Sequence, residues 1–232
     1  MNLSTSSIIE SIDSKVDMPV KRDEKIEEVV RNYLEHPCVP LDTVYHDKLH
    51  NHYVLLTVPV LTPSEIDIAF QNLLRIPGRN VAEPSMYASA LIQKSYHAGN
   101  NGFMLHTQNI PSYLTCAWLE GWKNNLIDIT IYGDTGDCTG RDSRWCSVRH
   151  EGNAGGYFFS STKDVKIFMS GMTGSVPLWN AETLFRTTND AMFDHAKRCI
   201  SGYSFAGNSH LELADIKGNI LKTHPEQGKE AP

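Results

Sequence analysis

Between residues 126 and 180, short runs of alternating apolar and polar positions each end at a pair of glycines. Ile129-Thr-Ile131 precedes Gly133-Asp-Thr-Gly136, Val148-Arg-His150 precedes Gly152-Asn-Ala-Gly155, and Ile167-Phe-Met169 precedes Gly171-Met-Thr-Gly174. Each unit starts 19 residues after the last. Residues two apart on a strand share a face. Each run therefore predicts a strand with an inward pair, with Ile129, Val148 and Ile167 in one column and Ile131, His150 and Met169 in another. Gly133, Gly136, Gly152, Gly155, Gly171 and Gly174 read as structural turns, where glycine admits positive φ. One strand per repeat, at a period of about 20, is the signature of a solenoid whose repeats bury their faces on their neighbours. An antiparallel meander competes, although it turns every ~8–12 residues. Chance alignment in a chain with 16 glycines is the remaining alternative.

Elsewhere the pattern predicts mixed elements. Ile26, Val29, Val30 and Leu34 fall at helical spacing over residues 25–36, which Pro37 ends. Residues 52–61 read as an apolar strand, with Pro59 marking an edge or an end. Thr62, Pro63 and Glu65 form a capping box with proline at the first helical position, followed by the stripe Ile66, Ala69, Phe70, Leu73 and Leu74. Residues 85–95 fit helix or strand, and 97–102 are a loop by composition. Residues 111–121 read as a short helix with Leu114, Ala117 and Trp118 on one face. Residues 189–200 read as a helix with Met192, Phe193 and Ala196 inward, and 204–221 as short strands turning at Gly207 and Gly218.

The run from Asn153-Ala-Gly-Gly-Tyr-Phe-Phe-Ser-Ser-Thr through Gly171-Met-Thr-Gly174 resembles the glycine-repeat β-helix domain of the glutamate synthase large subunit. That domain type also occurs in related subunits of N-methylglutamate synthase and formylmethanofuran dehydrogenase. Asp142-Ser143 and Lys163-Asp164 stand where the family often has a doubled glycine, and the likeness covers about a quarter of the chain. The resemblance implies a structural solenoid that braces catalytic partners and carries no catalytic residues.

Composition narrows the class. With 232 residues, 41% hydrophobic and 21% charged, the chain is long enough for a core and ordinary for a globular protein. A net charge of −6 argues against nucleic-acid binding driven by phosphate contacts. The chain holds no transmembrane-length apolar run and no signal-like start. Five scattered cysteines do not form a disulfide framework, which favours a cytoplasmic location.

Three constellations could carry chemistry. His46, Asp47, His50 and His52 could hold a divalent metal, against the commoner solvated loop. Cys138, Cys146 and His150 offer zinc ligands without a CxxC knuckle, against simple burial of both cysteines. His150 and Glu151 could serve as acid and base in a pocket lined by residues 97–106. On a strand, however, they point to opposite faces, and a buried His150 needs a hydrogen-bond partner. Asp134, Asp137 and Asp142 lack the nine-residue period of calcium β-rolls. The 97–102 loop could cradle an anion but has no Walker lysine, and no GxSxG, HExxH or GxGxxG motif names a cofactor. Trp118, Trp122, Trp145 and Trp179 admit sugar stacking, although core or interface roles are the ordinary ones.

The expected protein is thus mixed α/β. A polar leader spans residues 1–23, an α/β part 24–125, a β-rich part 126–224 and a polar tail 225–232. The β-rich part would be a short right-handed β-solenoid capped by the 189–200 helix. Its expected function is scaffolding, docked to another protein subunit or to a second copy of itself. A His/Cys-lined enzyme and a carbohydrate-binding module are the alternatives. No membrane or nucleic-acid partner is expected.

Overall fold

The computed structural model describes residues 23–35, 58–76, 82–107, 112–174, 183–202 and 210–224. Residues 1–22 of the leader and the tail lie outside this set. In chain order the elements are α1 (Glu24–Glu35), α2 (Pro63–Leu74), α3 (Glu83–His97), β1 (Gly102–His106), β2 (Ile127–Tyr132), β3 (Cys146–Glu151), β4 (Val165–Met169), β5 (Thr183–Thr187), α4 (Asp190–Gly202), β6 (His210–Ala214) and β7 (Ile220–His224). The protein is mixed α/β, and one seven-stranded sheet takes its strands in sequence order. Pairing is parallel from β1 to β6, and β7 runs antiparallel to β6. The sheet crosses residue 125, because β1 lies on its N-terminal side and pairs along β2.

Local chemistry explains the helices. α2 starts at the expected capping box, with Thr62 and Glu65 each bonding the other's backbone and Pro63 in the first turn. Such a cap contributes about 1 kcal/mol. The stripe Ile66, Ala69, Phe70 and Leu73 is buried, as are Ile26, Val29 and Val30 on α1. Residues 85–95 resolve as the helix α3, which packs on α2, while α2 packs along β1 and α4 against β5 and β6. Met192, Phe193 and Ala196 of α4 are buried as expected. The expected strand over 52–61 is not seen at its described end: Val58 to Leu61 lie outside every strand. The Lys94 ammonium donates to the Val58 carbonyl and the Ser95 hydroxyl to that of Leu61, so those carbonyls serve α3 instead of a sheet.

In the sheet, Ile129 pairs with Val148 and Val148 with Ile167, while Ile131 pairs with His150 and His150 with Met169. These are the two columns read from the sequence, and all six residues are buried. The same 19-residue offset recurs beyond the strands. Arg144 pairs with Lys163 and Ala154 with Thr173 in parallel bridges. Side chains join in: the Asp134 carboxylate accepts from the Asn153 backbone N–H at 2.7 Å, and the Asn153 carbonyl from Met172 N–H at 3.0 Å.

The glycines of these turns act differently from the expectation. Only Gly133 among the six has positive φ, at 95°. Gly152, Gly155 and Gly171 are instead required by close approach. A Cβ on Gly152 would sit 2.5 Å from the Gly133 carbonyl carbon, and one on Gly155 would sit 2.7 Å from that of Gly136.

Residues 112–118 are not the expected helix. Leu114, Cys116 and Trp118 have φ of 60°, 58° and 58°, alternating left-handed positions that no α-helix contains. Cys138, Gly140 and Asp142 repeat the alternation, and Tyr157, Phe159 and Ser161 repeat it again. Bonds between these arcs set the backbone: Leu114 N–H donates to Asp137, Trp118 to Arg141, Cys138 to Gly156 and Asp142 to Ser160. An added Cβ on Gly140 would occupy the space of the Phe159 ring, which is fully buried beneath it.

Candidate functional site

Alternation along the strands divides the sheet into a buried face and a solvent face. His150 is on the buried one, fully enclosed. Its Nδ1–H donates to the Gly152 carbonyl at 3.1 Å, which leaves Nε2 to accept from the Thr135 hydroxyl at 3.2 Å. The Phe158 ring meets it edge-on, with centroids 5.6 Å apart. Burial pulls its pKa down to about 4, against a smaller opposing effect of the Gly152 carbonyl. The imidazole is therefore neutral at pH 7 with both nitrogens engaged. Glu151 points to solvent on the opposite face of β3, so the expected acid–base pair does not come together.

The solvent face carries one continuous register row: Met104, Thr130, Arg149, Phe168, Arg186 and Glu212. The Arg149 guanidinium lies 4.5 Å above the Phe168 ring and 3.7 Å from the Glu151 carboxylate. Further along, Arg186 meets Glu212 at 2.6 Å, and His210 reaches the other oxygen of that carboxylate at 3.4 Å. Of these groups only the Arg186 guanidinium is held by a close carboxylate hydrogen bond, at 2.7 Å.

At the β1 end of this face lies a pair that the sequence reading did not single out. Asp67, on α2, accepts the His106 backbone N–H at 2.7 Å through one oxygen. Its other oxygen faces His106 Nδ1 at 2.8 Å and accepts from the Gln71 amide at 2.9 Å. The imidazole stacks on Tyr132, with centroids 5.0 Å apart and planes within 16°. A carboxylate on Nδ1 fixes the ring and directs Nε2 outward as a base or ligand.

The remaining sequence-predicted residues scatter. His46, Asp47, His50 and His52 lie outside the described residues, as does Trp179. Cys138 and Cys146 are buried free thiols, and burial pushes both pKa values up, Cys146 to about 12. Among the described residues no three of His, Cys, Asp and Glu are grouped so as to hold a metal ion, so Cys138, Cys146 and His150 do not converge on one. Asp134 and Asp137 accept backbone N–H groups of Asn153 and Gly156. Trp118 and Trp145 are half-buried, and Trp122 is exposed. No described helix is long and apolar enough to cross a membrane. Compared with known protein families, curated proteins and solved structures, the chain matches none.

Proposed function

We propose that the chain is a non-catalytic structural subunit, a short right-handed β-solenoid that docks a second protein subunit in the cytoplasm. Supporting the solenoid is the 19-residue offset shared by the register of β2, β3 and β4, the side-chain bonds across the turns and the left-handed positions from Cys138 to Asp164. In this reading His150 is a core residue satisfied by Thr135 and Gly152. The likeness of the GxxG units to the glutamate synthase domain directs the proposal towards an amidotransferase or oxidoreductase assembly.

One observation carries the docking role. β7 ends the sheet with no further strand beside it among the described residues, and Leu221 on it is 60% exposed. Ile220 beside it and Ile216 in the preceding turn, 93% exposed, extend the apolar edge. Open apolar edges are what native sheets cover, and a partner's strand supplies both hydrogen bonds and cover. The test is recovery of tagged chain from its native host under gentle conditions, with stoichiometry read by native mass spectrometry. One enzyme subunit at fixed ratio, lost on Leu221→Lys, upholds the proposal. Chain recovered alone sinks it, and a homodimer that Leu221→Lys dissolves replaces the second subunit with a second copy.

The Asp67–His106 pair favours one other reading, a soluble enzyme using His106 as base. Under it, His106→Asn abolishes whatever turnover a hydrolase and transferase substrate screen detects, with the melting temperature unchanged.

A further inference from the structure

Trp122 stands apart from the solvent-face row and from the β7 edge. Its side chain is exposed, with a relative exposure of 56% for the residue, yet the backbone beneath is clamped. The Trp122 N–H and carbonyl both bond Asn125, at 3.2 and 2.9 Å, closing a tight turn. The same N–H reaches the hydroxyl of buried Tyr96 at 2.9 Å, and that hydroxyl donates to the Asn125 carbonyl. The indole tilts at 55° against Tyr96 and lies within 19° of parallel to His97. Gln93 holds His97 Nε2 at 3.0 Å and exchanges two 2.9 Å bonds with the Glu120 backbone. A ring presented on so fixed a support loses little freedom when a ligand arrives.

The surroundings decide what the ligand is. Lys123, Asn124 and Asn101 are exposed, and the Asn101 amide bonds the Asn125 side-chain carbonyl at 3.3 Å. The exposed apolar footprint of the turn is the Trp122 ring, which offers less than the roughly 250 Å² of a whole aromatic side chain. A stable protein interface needs about 800 Å² per partner. A net charge of −6, with Lys123 the one cation in the turn, disfavours nucleic acid. A flat apolar ring on a turn that also carries exposed side-chain amides complements a pyranose, whose C–H face is apolar and whose rim is hydroxyl.

We infer that Trp122, with the Asn101 and Asn124 amides, is a carbohydrate-binding platform that stacks one pyranose of a polysaccharide or protein-linked glycan. The test follows the Trp122 indole N–H resonance of the full chain, assigned by its loss in Trp122→Ala, while cellohexaose, laminarihexaose, chitohexaose and a high-mannose glycan are added separately. The expected result is a saturable shift with at least one of them at a Kd of about 1 mM, the strength of a single stacking site. Response to a hexaose places the source in a polysaccharide, and response to the glycan places it on a glycoprotein. By ligand-observed saturation transfer, binding should vanish in Trp122→Ala and weaken in Trp122→Phe, with circular dichroism unchanged in both. Absence of any saturable shift overturns the inference, as do equal binding in Trp122→Ala and a shift that depends on protein concentration alone.

Discussion

A Cβ added to Gly171 would lie 2.5 Å from the carbonyl carbon of Gly152, so the two backbones touch and nothing larger than hydrogen fits between them. Gly171→Ala and Gly152→Ala must shift one backbone off the other, at a cost of about 3 kcal/mol each. Gly102 is the control. It has open space around its Cβ position and no positive φ, so Gly102→Ala is neutral or stabilising by about 0.5 kcal/mol. Urea midpoints of the three variants at one pH check both halves of this prediction.

His150 should make stability depend on pH. Its pKa is lowered from 6.5 to about 4 in the folded protein. The folded state therefore refuses a proton that the unfolded chain accepts. This contribution is fully present above pH ~6.5 and is lost as pH falls towards ~4, by about 3 kcal/mol in all. His150→Met, placed between Ile131 and Met169, should flatten the unfolding free energy across that window while leaving the Thr135 hydroxyl without its acceptor. An unchanged slope would mean that another group is responsible.

Asp67 joins α2 to β1 through both carboxylate oxygens. Asp67→Ala should lower stability by about 1–2 kcal/mol, because the freed donors are partly exposed and water can serve them. The sharper readout is His106. Its NMR tautomer signature should show the proton on Nδ1 in the native protein and a mixture in the variant.

Cys116 and Cys146 should resist thiol reagents. Both are buried, and burial raises both pKa values, that of Cys146 to about 12. The thiolate is the reactive form. Single-cysteine variants at pH 8 should label only after denaturant is added, and rapid labelling of the native protein would contradict the burial.

What could be read from the sequence was what local chemistry or a fixed period encodes. Thr62, Pro63 and Glu65 specify the start of α2 among themselves. The columns through Val148 and His150 follow from alternation and spacing alone. The arc from Leu114 to Trp118 was illegible for a definite reason. Its residue types and spacing imitate an amphipathic helix, while its left-handed positions are set by bonds to residues as distant as Asp137 and Arg141. β1 escaped because Phe103 pairs with Ile129, 26 residues on, outside the period. Asp67 and His106 are 39 residues apart with no motif between them, so only the packing of α2 on β1 unites them.

The register of β2, β3 and β4 has an arithmetic consequence. Every register pair among them joins residues 19 apart. A deletion that preserves this register must therefore remove 19 residues. Excising 134–152 would join Gly133 to Asn153 and leave each column continuous. Excising one residue fewer would turn every inward side chain beyond the joint towards water. A chain built this way can grow or shrink by counted steps, and by no others.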